Sequence, residues 1–273
     1  MPPAPTLLAV AVAAAAVFRP RRAFCEETLI LGTLKDFEDL FHLKAAESLE
    51  KEGVKVALKD LSGNSAHEDA LCLALANGDI ELSTRVTLEA VKLKNRDYGA
   101  GLASLGPSYL TGPMGFYSRR IGTLDELGEG AVVAVPNDPE SRARALLLLR
   151  DSGKIGLNDV FPTTDLTLSD IVSNPLNLRI EEVPPEDLPE RLEDSDALAL
   201  NGFMLNYAGL KPLRDAIRLE GADSPFASAF VLREADKDKP KFAKFLKAFR
   251  TREMADLILS KYDGRVIPVF PVG

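Results

Sequence analysis

Tryptophan is absent from the sequence, histidine occurs only as His42 and His67, and cysteine only as Cys25 and Cys72. Each shortage removes a class of chemistry. The cysteines match no zinc or redox spacing and define no disulfide framework. Neither histidine belongs to a cysteine or carboxylate pattern suited to a metal, so both are placed on the surface or at a core edge. There is no nucleophile elbow, no phosphate-cradling glycine loop and no pair of titratable groups that the sequence brings together, so neither catalysis nor a cofactor is expected. Positive charge is also scarce: the formal net charge is −8. The balance is more acidic still once Arg19, Arg21 and Arg22 are set aside. No basic stripe interleaved with aromatics offsets it, which excludes nucleic acid as a partner of the body of the chain.

What is present is the composition of a globular protein. The 273 residues are 46% apolar and 27% charged, enough for one large or two smaller domains. Residues 1–25 stand apart as a signal or targeting segment. Thr6 to Phe18 is apolar after the threonine, too short to span a membrane comfortably and of the length of a signal-peptide core. No lysine or arginine precedes it, and Phe24 is bulky for a lipoprotein processing site ahead of Cys25. The Ala- and Arg-rich leader also fits an organellar transit peptide. The sequence therefore leaves two compartments: the periplasm or cell envelope, with membrane association through the N-terminal segment, and an organelle.

Ala131 to Val135 is a short uninterrupted apolar run, the pattern of a strand covered on both faces of a parallel sheet. A helix follows, with Asp138 as N-cap, Pro139 at its first position and Gly153 as its stop. Leu146 to Leu149 point nearly all the way round its axis, so it is enclosed. Arg144 in that helix either pairs with Glu140 one turn back or looks into a cleft at the carboxyl end of the strand, where open α/β sheets bind ligands.

The rest follows a βα grammar. Strands are expected at 28–32, 54–58 and 79–82, with helices at 34–52 (Phe37, Phe41, Ala45 and Leu49 on one side) and 68–76. A polar helix is expected over 86–98, turns at Gly106-Pro107 and Gly112-Pro113, and a strand at 115–118. Thr167 to Asp170 forms a capping-box start to a short helix. Further strands are read at 178–183, 196–200 and 230–233, a helix at 203–208, and two closing helices, the first carrying Phe242, Phe245, Leu246 and Phe249. Two βα series enclosed in this way predict two lobes, 27–118 plus 224–273 and 119–223, joined by two crossings around a hinged cleft.

Five stretches then resemble one family: Gly112 to Ile121 (GPMGFYSRRI), Val132 to Pro139 (VAVPNDP with its leading valine), Arg144 to Leu149 (RALLLL), Leu219 to Phe226 (LEGADSPF) and Val266 to Phe270 (VIPVF). They are similar to the NlpA-type methionine-binding lipoproteins, the substrate-binding subunits of methionine ABC importers. The resemblance spans roughly 28–270. It implies a two-lobed α/β periplasmic-binding-protein (Venus-flytrap) fold that captures a free amino acid, methionine or a related small carboxylate, and presents it to the importer's membrane subunits. By the same resemblance Arg144 grips the ligand carboxylate and Asn201 contacts the amino acid backbone, with a turn-forming Asn-Gly as the alternative for Asn201. Ser228 stands where the family carries a second asparagine. The family's aromatic and histidine-bearing run falls near Ile80 to Ala90, which here reads IELSTRVTLEA, and an aromatic before the second helix is replaced by His67-Glu68-Asp69. Two other classes remain beside the importer subunit: a family member acting as a sensor or scaffold without transport, and an enzyme on the same fold.

Overall fold

The structure is a computed structural model and describes residues 27–33, 39–61, 67–202 and 204–272. The leader with Cys25, Phe37, and the side chains of Phe41, His42 and His67 lie outside the described residues. In chain order the first elements are β1 (Glu27–Thr33), α1 (Asp39–Glu50), β2 (Val54–Asp60), α2 (His67–Asn77), β3 (Leu82–Thr87), α3 (Leu88–Tyr98), β4 (Leu102–Thr111) and β5 (Gly115–Tyr117). They continue with β6 (Val132–Pro136), α4 (Pro139–Asp151), β7 (Gly156–Leu157), β8 (Ile171–Ser173), β9 (Arg179–Val183), β10 (Ala197–Leu200), α5 (Leu205–Ala208) and α6 (Pro212–Asp215). The chain ends with β11 (Arg218–Leu219), β12 (Ser228–Arg233), α7 (Pro240–Phe249), α8 (Arg252–Tyr262) and β13 (Val266–Pro268).

Two mixed sheets result, each between helical layers. The first has the order β13-β4-β12-β3-β1-β2 and the second β11-β5-β10-β6-β9. Each has its own apolar core. On one face of the first sheet Phe242, Phe245 and Phe249 of α7 meet Phe230, with the Phe230 and Phe249 rings edge-to-face at 5.1 Å; on the other, Leu71 and Leu75 of α2 pack with Ile80 and Val86. In the second sheet Val133 and Val135 lie against Leu146 to Leu149 of α4, while Ala134 and Leu198 face Leu188, Leu192 and Leu205. Apolar faces that cannot be exposed decide both layerings.

Three elements differ from the pattern read in the sequence. The third strand starts at Leu82, because residues 78–80 are the exit of α2: the amides of Asp79 and Ile80 both reach back to the Ala74 carbonyl. Ser83 and Thr84 then follow, fully buried in the strand. The segment around Gly106 is the long strand β4 rather than a turn. Gly106 takes φ 101°, open to glycine at little cost, and β12 shifts register opposite it between its Pro107 and Ser104 partners: a bulge, not a break.

Strand 115–117, grouped by the sequence with the first lobe, pairs instead in the second sheet. Tyr117 lies opposite Leu198 of β10, and Phe116 lies opposite Arg218 of β11. Both aromatics are buried there, which favours that sheet. The chain thus crosses between sheets ahead of β5, at 112–114, and returns after β11, at 220–227. Gly202 packs against the first crossing so closely that an added Cβ would lie 2.9 Å from the Gly112 Cα. Because backbone cannot swing aside as a side chain can, Gly202→Ala is expected to cost about 1–3 kcal/mol, as overpacking does. Urea denaturation beside Gly128→Ala, where nothing lies within 4 Å of the new methyl, checks it; equal midpoints would refute the close-approach argument.

Candidate functional site

The site grows from α4. β6 lies between β9 and β10 in the second sheet and parallel to both, and α4 starts just beyond its carboxyl end. Asp138 caps the helix, accepting a 2.9 Å hydrogen bond from the Ser141 amide, with Pro139 next. Leu146 to Leu149 are all buried, so the helix is enclosed and carries Arg144 inside with it, 7% exposed.

A buried guanidinium needs a counter-charge, and Arg144 finds it in Glu220, between β11 and the return crossing. Arg144 Nε donates to Glu220 Oε1 and Oε2 at 3.0 and 3.2 Å, and Nη2 donates to Oε2 at 2.5 Å and to the Gly112 carbonyl at 3.1 Å. Glu220 also accepts from the Met114 amide at 2.8 Å and the Ser224 hydroxyl at 2.8 Å. One arginine thereby ties α4 to both crossings. Burial would lower its pKa, but the carboxylates of Glu220 and then Glu140 outweigh that and raise it, so the charge is permanent. The Glu140 contact that the sequence offers is only a marginal 3.5 Å from Nη1. Glu220 was not singled out by sequence reasoning; the available signal was an acid inside LEGADSPF, apart in the chain from a buried arginine that lacked a strong partner.

Beside this clamp lies a cavity of about 370 Å³, within the range for small-molecule sites. Glu68 of α2, Arg85 and Thr87 of β3 and Glu89 of α3 form the wall from the first sheet; Glu140, Arg144, Pro162 and Thr164 form the opposite wall; Phe226 and Ser228 lie along the return crossing and its strand. The Phe226 ring sits 5.6 Å from the Arg144 guanidinium. Two contacts bridge the walls: Glu89 Oε1 accepts from the Thr163 amide, and Arg96 lies 4.7 Å from the centre of the Phe161 ring. Burial lifts the Glu68 carboxyl above its ordinary pKa, opposed by the Thr87 amide that donates to it at 2.5 Å.

Of the residues picked out in the sequence, Arg144 and Ser228 line this cavity together. Asn201 is not among the lining residues. It sits just beyond the carboxyl end of β10, and its side-chain oxygen accepts from the Met204 amide at 3.2 Å. The segment 80–90 presents Arg85, Thr87, Glu89 and Ala90 to the cavity and no aromatic ring.

Two α/β bodies, two crossings clamped by one buried ion pair and a polar cavity between them define a hinged solute-binding protein. The chain belongs to the NlpA lipoprotein family, whose profile matches residues 29–270. The D-methionine-binding lipoprotein MetQ of Salmonella typhi is 37% identical over 196 residues, 71% of this chain and 72% of that protein. Outer membrane lipoprotein 2 of Mannheimia haemolytica is 35% identical over 197 residues, 71% of this chain and 70% of the relative. Among solved structures, a nutrient-binding protein from Burkholderia cenocepacia bound to methionine has a TM-score of 0.55 at 31% identity, covering 89% of this chain and all of the other. A YaeC-family lipoprotein from Enterococcus faecalis has a TM-score of 0.65 at 27% identity, with the same coverage. The fold is therefore the two-lobed one of periplasmic binding proteins, and the chain is an extracytoplasmic binding protein of a lipoprotein family, not an enzyme.

Removing one member of the clamp leaves a buried charge alone, so Glu220→Ala is expected to cost about 3–5 kcal/mol. The double variant Arg144→Met, Glu220→Leu should cost far less than the two single changes together; additive losses in urea denaturation would contradict the pairing. Glu68 gives a pH prediction. A carboxyl whose folded pKa is raised contributes stability below its unfolded pKa, near 4.5, and loses it as pH rises through the folded value. Glu68→Gln should therefore be more stable than the parent at pH 7 without ligand, with the gap closing towards pH 4.5; a gap that widens in acid would reverse the assignment.

Proposed function

We propose that the protein is the substrate-binding subunit of an ABC importer and captures a free amino acid between its lobes. One observation carries this: the donors of Arg144 are unequally occupied. Nε and Nη2 are held by Glu220 and Gly112, while Nη1, on a residue lining the cavity, meets only Glu140 among the described residues, at 3.5 Å. An α-carboxylate reaching Nη1 meets a fork already fixed by Glu220, so little side-chain entropy is lost on binding. Ser228 supplies a hydroxyl from the strand that follows the return crossing. Asn201, beyond the carboxyl end of β10, is assigned the amino acid backbone, the role the family resemblance gives it. The relatives named for methionine and the methionine-bound neighbour support the amino acid class. Lobe closure about 112–114 and 220–227 would trap the ligand and make the shape that an importer's membrane subunits dock.

Arg144→Ala would confuse binding with folding, since it strands Glu220. Arg144→Lys is the better test because it keeps a charge for Glu220 and loses the fork. Amino acids that bind the parent protein should stabilise it by about 2.7 kcal/mol at a hundred times Kd. In Arg144→Lys they should bind at least about tenfold more weakly, the worth of one charge-assisted hydrogen bond. Thermal unfolding across the amino acids, followed by calorimetry, measures both. A parent protein stabilised by no amino acid would point to the sensor or scaffold class instead.

A further inference from the structure

The cavity wall contributed by the first lobe is built around an unmet carboxylate. Glu89 is 6% exposed and lines the cavity. Its Oε1 accepts the Thr163 amide from the opposite wall, but its Oε2 is buried with no hydrogen-bond partner among the described residues. A carboxyl oxygen buried without a donor is costly, and a donor that arrives with the ligand would relieve that cost. Two more carboxylates share the cavity, Glu68 from one lobe and Glu140 from the other, near enough that Glu140 adds to the burial that raises the pKa of Glu68. Of the two cavity arginines, Arg144 is matched by Glu220 behind it, which leaves one further cation, Arg85, against three carboxylates. The lining therefore holds a surplus of negative charge. A thioether placed here would cover three carboxylates and donate to none.

We infer that the cleft selects an amino acid with a cationic side chain, an ammonium or guanidinium whose N–H groups complete Glu89 and lie between Glu68 and Glu140. This rests on the amino acid capture proposed above and names the side chain of the ligand. The α-carboxylate sits at Arg144, the aliphatic stem passes Ala90 and Leu93, which also line the cavity, and the cation ends at Glu89. Because Glu89 holds the opposite wall through Thr163, the group that recognises the side chain also joins the closed lobes. Specificity and closure then depend on one residue.

The test is calorimetric titration of the leaderless protein with lysine, arginine, methionine, glutamate and norleucine, the last a lysine analogue that ends in a methyl group. Lysine or arginine should bind at least ~100-fold more tightly than norleucine or methionine, since a site built to receive a donor strongly rejects the analogue that lacks it. Glu89→Gln keeps an oxygen for the Thr163 amide. It should weaken lysine at least ~10-fold while leaving norleucine nearly unchanged, and Glu68→Gln should weaken lysine in the same sense. Methionine, norleucine or glutamate binding as well as or better than the basic amino acids overturns the inference and leaves amino acid capture standing. Equal weakening of lysine and norleucine by Glu89→Gln also overturns it, because Glu89 would then hold the α-ammonium. If none of the five binds, the capture reading itself fails and takes this inference with it.

Discussion

The buried pair of Arg144 and Glu220 is the constraint on which the two-lobed arrangement turns. Each sheet has a core of its own and could keep its shape without the other, but their relative placement needs something at the crossings. Gly112, Met114, Glu220 and Ser224 all belong to those crossings and all join one hydrogen-bonded cluster around the guanidinium. A salt bridge out of water adds little net stability against an apolar alternative, yet removing half of it is severe. Its value here is geometric: it fixes where α4 meets both crossing strands while leaving one edge of the guanidinium for the cavity. A hydrophobic plug could hold the crossings together, but it could not also present a cation to the cavity.

How much of this was legible in the sequence depends on whether its cause was local. Asp138, Pro139 and the apolar run before them specify a strand turning into a capped helix within a few residues, and the structure has that turn. The leucines of α4 announced an enclosed helix for the same reason. Glu220 could not be found in this way, because its link to Arg144 spans 76 residues and no periodicity connects them. β4 was obscured by Gly106-Pro107, which read as a turn signal and is a bulge stabilised by strands on both sides. The membership of β5 was hidden because three residues carry no pattern of their own; burial of Phe116 and Tyr117 between β10 and β11 decides it. Asn201 was readable as far as its place beyond β10 and as a former of the local turn, where its side chain accepts from the Met204 amide.

The two ends of the cavity are held by different parts of the fold, which lets one persist while the other changes. Arg144 stands on a helix whose position is tied to both crossings, so altering it disturbs the whole hinge. The opposite wall stands on β3 and the first turns of α2 and α3, where much of the backbone is secured by contacts behind the cavity. Ser83 and Thr84 are buried; the Thr84 hydroxyl meets the Tyr109 hydroxyl at 3.3 Å, and the Thr84 carbonyl accepts from Ser108 at 2.9 Å. Thr87 caps α3 through the Ala90 amide. None of these contacts depends on Arg85 or Glu89 having its present identity. Charged groups at such positions change the chemistry presented to a ligand while the strand and the helix cap beneath them stay in place. Belonging to this family therefore says more about the fold than about the chemistry of this wall, which Glu68, Arg85 and Glu89 set.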